Sequence, residues 1–468
     1  MKLFNTLSRQ VEEIIPVNPP TVTVYTCGPT VYDHAHVGHW FNYIRMDILI
    51  RTLKGNNFRT KWVMNITDVG HLTSDADEGE DKLEKGAKRE GKTAWEIAEY
   101  YTKEFLDSMN KLNILQPQYI VKATDHIPEQ IDLISKLEAK GYVYVIDDGV
   151  YYDTSKFAGY RDFARLDLDE QQAGARVGYN PQKRNSSDFA VWKFSPSEQH
   201  RDMEWDSPWG KGFPGWHIEC SAMSLKYLGD TLDIHAGGID HIPVHHTNEI
   251  AQSEAVTGKR FANYWFHSNH LSVQGEKISK SLGNGISLEQ VIEKGFTPEA
   301  LRLLVLESNY KNQSMFSWDI LLSAKQRLIE LHALAVLRYQ TKPARGDYVT
   351  FALNNVPSQI KEFLGADLDT PAVLAYLSDV SRQLLAVGLE EDMCDHFVDM
   401  LKAIDDLLGL QLSYLPDIDT SLKALIAERE ECRAKQDWTS ADKIRSKLLA
   451  QNVTVLDKDS GPQWHWSN

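Results

Sequence analysis

The first seventy residues alternate between strand-like and helix-like segments, and this alternation limits the folds that the chain can adopt. Residues 21–26 alternate and are rich in β-branched types, which predicts a strand that residues 27–30 then end. A helix is predicted to begin just after His39 and to end at Gly55, and residues 58–66 predict the next strand. This order is typical of a doubly wound parallel sheet, in which ligands bind beyond the carboxyl ends of the strands. Four side chains with useful chemistry fall there: Cys27, His36, His39 and Thr67.

Composition excludes several classes of protein. The 468 residues are enough for roughly two to four domains. No apolar run approaches the roughly 20 residues that a membrane-spanning helix needs, and the N-terminus lacks the apolar core of a signal peptide, so we expect a cytoplasmic protein with no membrane partner. The net charge of −16 argues against a protein that coats nucleic acid, although a local basic surface is enough for a specific RNA.

Two histidines flank a glycine where the first strand gives way to the helix. Gly38 would let a nucleotide approach the backbone closely, and His36 and His39 would hydrogen-bond phosphate oxygens as negative charge develops. The start of a helix also favours anions. These three residues are predicted to bind ATP, with His36 and His39 as catalytic residues. Taken alone, the pair is also compatible with two surface histidines beside a helix start.

Two lysines lie about 240 residues further on, in a loop bounded by glycines. Lys277 and Lys280 would follow the leaving pyrophosphate into the transition state, and both are predicted to be catalytic, with Lys280 also binding ATP. A solvated basic loop is the alternative for such a sequence. The occurrence of both runs in this order favours ATP chemistry.

A third set of residues has metal-ligand character. His245 and Glu249 are four residues apart and therefore share one face of a predicted helix. Together with Cys27 and Cys220 they would form a tetrahedral site that suits one Zn²⁺ per chain. Spacing alone leaves a second interpretation open, namely a core histidine and two buried thiols. Four cysteines in the whole chain do not make a disulfide framework.

These runs together resemble the cysteinyl-tRNA synthetases, a family of class I aminoacyl-tRNA synthetases. The matching segments are collinear and extend from residue 4 to residue 464; they include residues 27–33, 36–39, 65–68, 215–223, 233–235 and 277–284. The resemblance implies an α/β fold: a Rossmann-like doubly wound parallel sheet with an inserted domain, followed by a helical bundle and a small C-terminal anticodon-binding unit.

The resemblance also implies roles for residues. It assigns the zinc to Cys27, Cys220, His245 and Glu249. It places substrate cysteine against Cys27, Gly28, Thr67 and Trp216. It adds to the ATP site, with its Mg²⁺, the residues His235, Gly237, Gly238 and Asp240. It assigns anticodon contacts to Arg433, Asp437 and Trp438.

Six segments are expected along the chain. They are a first catalytic half (1–120), an inserted connective domain (121–205), a second catalytic half (206–265), a stem-contact region with the signature lysines (266–317), a helical bundle that binds tRNA (318–412) and an anticodon-binding domain (413–468). An acidic insertion is expected at about residues 69–92. The last segment is predicted to hold one charged helix, a short strand at residues 452–456 and a tryptophan-rich end.

The function expected from this resemblance is the ATP-dependent attachment of L-cysteine to tRNA(Cys) through cysteinyl adenylate, by a monomer that selects cysteine through zinc. One alternative is a ligase that passes activated cysteine to another acceptor, such as a sugar amine; residues 421–466 argue against it, because related ligases lack an anticodon module. The other is a non-catalytic paralogue that binds tRNA, which would be expected to have lost signature residues that this chain retains.

Overall fold

The computed structural model describes residues 1–70, 81–165, 180–196, 201–273, 285–343, 353–458 and 461–467, together with the backbone of residues 276–277. The strands in these ranges are β1 (Lys2–Asn5), β2 (Gln10–Glu13), β3 (Thr21–Thr26), β4 (Arg59–Ile66), β5 (Tyr119–Lys122), β6 (Val143–Ile146), β7 (Gly149–Tyr152), β8 (Phe189–Phe194), β9 (Gly212–Pro214), β10 (Leu232–Gly238), β11 (Ala262–Ser268), β12 (Leu271–Val273), β13 (Glu276–Lys277), β14 (Ser314–Phe316), β15 (Val453–Lys458) and β16 (Gly461–Trp466).

The α-helices of the same ranges are α1 (Val37–Gly55), α2 (Lys82–Glu90), α3 (Ala94–Lys111), α4 (Ile127–Ala139), α5 (Trp216–Leu228), α6 (Thr247–Thr257), α7 (Leu288–Glu293), α8 (Pro298–Leu306), α9 (Trp318–Ala335), α10 (Val356–Gly365), α11 (Thr370–Val387), α12 (Cys394–Leu408), α13 (Thr420–Ala434) and α14 (Trp438–Leu449). None of these helices is both long enough and apolar enough to cross a membrane.

A parallel sheet forms the centre of residues 21–268, which confirms the predicted fold class. Its strand order is β11-β10-β3-β4-β5, and every neighbouring pair is parallel. Counted along the chain, this is the order 5-4-1-2-3 of a doubly wound sheet, which reverses direction between β3 and β10. Cys27 follows β3 at this point, and its amide donates a hydrogen bond of 3.0 Å to the carbonyl of Ala236 in β10. A crevice therefore opens where β3 and β10 end.

Helix α1 begins at Val37, two residues before His39, whereas the sequence predicted a start just after His39. The reason is a cap made by the two signature histidines. Nδ1 of His36 accepts a hydrogen bond from the amide of Gly38, and Nδ1 of His39 accepts one from the amide of His36, both at 3.1 Å. Imidazole caps are not among the usual helix-start signals, so the sequence rules place the start too late.

The segment between the halves of the central sheet forms a second, antiparallel sheet in the order β6-β7-β8-β9. Its β6-β7 pair is a hairpin. Strand β5 instead pairs with β4 of the central sheet, and β9 lies beyond residue 205. The antiparallel sheet is thus displaced toward the C-terminus relative to the segment predicted at 121–205. The six-part division of the chain stays a prediction.

The acidic insertion predicted at residues 69–92 contains a helix. Residues 71–80 lie outside the described part, and α2 follows directly, capped by Asp81, whose carboxylate accepts hydrogen bonds from the amides of Leu83 and Glu84. Asp81 also forms a buried ion pair with Arg201, which in addition donates to the carbonyl of Gly70 at 3.2 Å. Both flanks of residues 71–80 are therefore held by one arginine.

A buried arginine pair joins the central sheet to the helical bundle. The carboxylate of Asp47 in α1 is fully buried and pairs with Arg51 at 2.7 Å and with Arg302 of α8. Arg302 also donates to the carbonyl of Leu408 at 2.6 Å, at the end of α12. One carboxylate thus ties three helices together.

The C-terminal unit has two helices where the sequence predicted one. Gln436 adopts a left-handed conformation (φ 61°), which ends α13, and the carboxylate of Asp437 then accepts a hydrogen bond of 3.1 Å from the amide of Ser440 to start α14. The short strand predicted at 452–456 is β15, and the tryptophan-rich end forms its antiparallel partner β16.

Candidate active site

A cavity of about 430 Å³ opens at the carboxyl ends of the central strands. Its lining includes Cys27 and Gly28 after β3, Thr67 after β4 and Gly238 at the end of β10. This is where a doubly wound sheet binds its ligand. His36, Gly38, His39, Trp216, Asp240 and His245 also line the cavity. Most of the predicted site residues therefore meet in one place.

The signature histidines form one wall. Their rings stack with centroids 3.8 Å apart at an interplanar angle of 29°. The amide of Val37 donates a hydrogen bond of 2.8 Å to the carbonyl of Ile286, and His36 forms an isolated bridge with Ser287. Residues 286–287 come soon after the signature lysines. The structure thus brings the chain segments that flank both signatures together.

The lysines themselves are described only in part. Lys277 is present as backbone in β13, which pairs with β12 through Ser272. Lys280 lies outside the described residues. Their predicted contacts to phosphates stay predictions.

Four predicted metal ligands converge at the floor of the cavity. The ligand atoms of Cys27, Cys220, His245 and Glu249 all lie within 4.8 Å of one another, and all four residues are buried. They come from the end of β3, from α5, from a short π-helix (Ile242–His246) and from α6. Nε2 of His245 lies 3.0 Å from Oε1 of Glu249. The two atoms form a buried ion pair, although no described residue donates a well-directed hydrogen bond to this oxygen.

The pKa shifts of the residues in this cluster show that their surroundings favour positive charge, as a cation site does. Burial alone would raise the pKa of Glu249, but His235 and His245 outweigh it and lower the pKa to about 2. Burial alone would lower the pKa of His245, but Glu249 and Cys220 raise it to about 10. For Cys220, burial is outweighed by hydrogen bonds from Cys27 and His245, which lower the pKa of its thiol. Anionic donors thus hold a proton on His245 where a metal ion would supply positive charge.

A second donor set overlaps the first. Cys27, His235, His246 and Glu249 also have ligand atoms within 4.8 Å of one another. Sγ of Cys27 lies 3.3 Å from Nε2 of His246, and Nε2 of His235 lies 2.9 Å from Oε2 of Glu249. The two sets share Cys27 and Glu249. They differ in position, because Cys220 and His245 line the cavity whereas His235 and His246 lie behind them, completely buried.

The predicted cysteine pocket is built on a close approach between two strand ends. A Cβ atom on Gly28 would lie 1.6 Å from the carbonyl oxygen of Asn65, so only glycine fits there. The side chain of Asn65 accepts a hydrogen bond from the amide of Gly28 at 2.8 Å and donates one to Oγ1 of Thr67 at 3.0 Å. Thr67 donates in turn to Glu219 at 3.1 Å. This chain of contacts fixes the Thr67 side chain at the cavity wall.

The aromatic side of the pocket is Trp216, whose ring lies 4.7 Å from that of His245.

The predicted ATP residues that follow β10 divide into two groups. Gly238 and Asp240 line the cavity, while His235 is fully buried and turned toward Glu249. A Cβ atom on Gly237 would meet the ring of His246 at 2.6 Å, so this glycine makes room for a buried histidine. Contacts of His235 and Gly237 to ATP stay predictions.

Several histidines of this region were not predicted as site residues, among them His217, His246 and His267. Nδ1 of His217 lies 2.9 Å from Nδ1 of His245, and Nδ1 of His246 lies 2.8 Å from Nε2 of His267. Burial lowers the pKa of His246 and His267 well below the usual range, so both are neutral at neutral pH. His217 lies three residues before Cys220, a spacing that could have revealed it. No comparable signal marks His267.

The three predicted anticodon residues lie together at the junction of α13 and α14. Trp438 is 56% exposed, and the guanidinium of Arg433 lies 5.8 Å from its ring centroid. Nη1 of Arg433 also pairs with Asp457 at 3.0 Å. The Asp437 carboxylate serves as the cap of α14. An exposed ring beside a cation suits base stacking.

Comparisons with known proteins fit this architecture. The structure of methionyl-tRNA synthetase from Mycobacterium tuberculosis with methionyl-adenylate superposes with a TM-score of 0.60 at 15% sequence identity, over 84% of this chain and 92% of that one. At this identity the likeness concerns the fold alone.

Sequence relatives define the family. Residues 13–326 match the family described as tRNA synthetases class I (C) catalytic domain, and residues 415–464 match the cysteinyl-tRNA ligase anticodon binding domain. Cysteine--tRNA ligase 1 of Burkholderia lata is 45% identical over 98% of this chain and 96% of its own length. Cysteine--tRNA ligase of Treponema denticola is 42% identical over 99% of both chains. The chain belongs to the cysteine--tRNA ligase family of class I aminoacyl-tRNA synthetases.

Proposed function

We propose that this chain joins L-cysteine to tRNA(Cys) in two steps that consume ATP. The carboxylate of cysteine attacks the α-phosphorus of ATP, the bond to pyrophosphate breaks, and cysteinyl adenylate forms. A ribose hydroxyl of the tRNA then attacks the carbonyl carbon and AMP leaves. The observation that carries this proposal is a set of four metal-ligand side chains at the floor of the cavity that the signature histidines line.

Cysteine would be selected by the donor cluster. We assign the metal to Cys27, Cys220, His245 and Glu249. The two residues that distinguish this set from the other, Cys220 and His245, line the cavity. A Zn²⁺ ion held there would bond the substrate sulfur, for which it has a stronger preference than for the hydroxyl oxygen of serine. Thr67 and Trp216 would contact the side chain of the substrate cysteine. Gly28, which has no side chain, would leave room for it beside the backbone.

The phosphates would lie along the other wall. His36 and His39 would donate hydrogen bonds to phosphate oxygens at the start of α1, where the helix dipole also favours negative charge. Lys277 and Lys280 would neutralise the leaving pyrophosphate, with Mg²⁺ bound to ATP. Gly238 and Asp240 would meet the adenylate. No side-chain nucleophile is needed, so orientation and electrostatics would carry the rate.

The tRNA would reach from this cavity to the C-terminal unit. Trp438 and Arg433 would stack on bases of the anticodon arm, as exposed aromatic and guanidinium planes do on single-stranded RNA. We further propose that the chain works as a monomer in the cytoplasm.

The test is the attachment of labelled cysteine to unfractionated tRNA in the presence of ATP, with labelled serine as the control. The proposal expects charging with cysteine and none with serine. Pyrophosphate exchange that depends on cysteine, without any charged tRNA, would indicate a different acceptor, such as a sugar amine. Binding of tRNA without exchange or charging would indicate a non-catalytic paralogue.

A further inference from the structure

Arg45 is a buried cation that the proposed chemistry leaves without a role. It lies in α1, six residues after His39, and is 4% exposed. Its two terminal nitrogens donate four hydrogen bonds: Nη1 to Oγ of Ser268 (2.9 Å) and to the carbonyl of Asn269 (3.0 Å), and Nη2 to Oγ of Ser308 (3.2 Å) and to Oγ of Ser314 (2.6 Å). All four acceptors are neutral.

The electrostatics of Arg45 differ from those of the other buried arginines of this region. Arg51 and Arg302 share the carboxylate of Asp47, whereas no carboxylate in the described ranges forms an ion pair with Arg45. Burial lowers the pKa of its guanidinium to about 10, and its Nε atom has no hydrogen-bond partner in that part of the chain. A buried charge without a counter-ion costs stability, so a benefit elsewhere is expected.

The partners of Arg45 show what it holds in place. Ser268 ends β11, and Ser268 and Asn269 both line the cavity. Ser314 begins β14 and pairs with Leu271 at the start of β12. In the same strand, Ser272 pairs with Lys277 of β13. One guanidinium therefore joins the helix that begins at Val37 to the cavity wall and to the small sheet that carries Lys277.

We propose that Arg45 is a positioning residue for ATP, which sets the wall at residues 268–271 and the strand that carries Lys277 against the signature histidines. The planar fork of arginine suits this task, because it directs several hydrogen bonds in fixed directions. A displacement of about 1 Å at the reacting groups is enough to slow an enzyme by about 100-fold. The proposal deepens the proposed function and rests on it for the identity of the nucleotide.

The test compares Arg45→Met with Arg51→Met. Arg51 is also buried and lies on the same helix, but its contacts are the carbonyls of Asn113 and Asp405 and the carboxylate of Asp47, on the side of the bundle. Binding of Mg-ATP alone is measured by titration calorimetry, and KM values for ATP and cysteine are measured by pyrophosphate exchange. Thermal unfolding reports on stability in both variants.

For Arg45→Met the proposal expects the Kd and the KM for ATP to rise about tenfold or more, because all four hydrogen bonds of the guanidinium are lost, with the KM for cysteine within about twofold. Arg51→Met should lose stability without this selective change. An unaltered Kd for ATP in Arg45→Met, or equal rises in the KM values of both substrates, would overturn the proposal.

Ser314→Ala provides a milder variant in case Arg45→Met does not fold. It removes one acceptor at β14, and a rise in the Kd for ATP of about threefold to tenfold is expected from one lost hydrogen bond; no change would overturn the proposal. Binding of Mg-ATP by the parent chain without cysteine-dependent exchange would refute the proposed function while leaving the Kd comparison valid. A parent chain that binds no Mg-ATP would refute both.

Discussion

Nε2 of His245 lies 3.0 Å from Oε1 of Glu249, one turn further along the chain, and the two groups hold opposite charges at neutral pH. Both are buried beside Cys220 and Cys27. A proton on a buried histidine between anionic donors marks a place where the surroundings favour positive charge, which a metal cation would supply in place of that proton.

Removal of single ligands should separate the two overlapping donor sets. Cys220→Ser and His245→Asn are expected to weaken zinc binding by about 100-fold or more, because even residues that only orient metal ligands change affinity by 10–100-fold. His246→Asn is the comparison variant: it should weaken zinc binding by no more than about 10–100-fold, through its contact with Cys27, and should retain one zinc ion per chain. Metal content by mass spectrometry and competition with a chelator measure both. Loss of zinc in His246→Asn with retention in Cys220→Ser would place the metal in the other set.

Gly28 should not tolerate a side chain. Gly28→Ala would force a methyl group against the carbonyl oxygen of Asn65, at 1.6 Å in the present geometry, and overpacking of this kind costs about 1–3 kcal/mol. We expect a lower free energy of unfolding together with a higher KM for cysteine. Gly159→Ala is the control, because its nearest contact would lie at 3.4 Å. Equal stability of the two variants in urea would contradict the assigned close approach.

The sequence predicts the arrangement of the sheet and of the donor cluster better than it predicts the helix boundaries. The strand at residues 21–26 and the alternation after it predict parallel strand ends, and these bring Cys27 and Thr67 to one edge. Position along the chain cannot reveal that His235 turns toward Glu249, because this depends on how β10 packs against α6. The break between α13 and α14 was missed since it rests on the left-handed backbone of one glutamine, Gln436.

Acid should weaken the link between the sheet and the bundle. Burial alone would raise the pKa of Asp47, but Arg302 and Arg51 outweigh it and hold the pKa below its usual range. Because the folded pKa is depressed, the stabilisation is complete above the unfolded pKa of about 3.9 and is lost as the pH falls through the folded value.

The variant Asp47→Asn tests this relationship. It should lower the free energy of unfolding at pH 7 by about 3–5 kcal/mol, since two buried arginines lose their carboxylate, and the difference from the parent should shrink below about pH 3.9. Denaturant titrations over a pH series measure it. Asp132→Asn, at an exposed i,i+4 ion pair, should change little at any pH. A pH-independent difference for Asp47→Asn would be incompatible with an ionised Asp47.

The C-terminal tryptophan should affect only the second step. Trp438→Ala is expected to raise the KM for tRNA about tenfold, within the 1–3 kcal/mol of one base stack, and to leave cysteine-dependent pyrophosphate exchange unchanged. Tyr100→Ala, at a half-exposed tyrosine on α3, serves as the control for loss of a surface aromatic. Steady-state charging and exchange assays give both constants. A fall in exchange by Trp438→Ala would mean that the residue acts through the catalytic domain.

The most direct test of the account is the ratio of kcat/KM for cysteine to that for serine in ATP–pyrophosphate exchange, before and after removal of zinc. If the donor cluster selects sulfur through a metal, the ratio for the zinc-loaded chain should be about 10⁴ or more, and exchange with cysteine should collapse on metal removal and return with zinc. A ratio below about 10, or full exchange by the metal-free chain, would contradict selection by the cluster of Cys27, Cys220, His245 and Glu249.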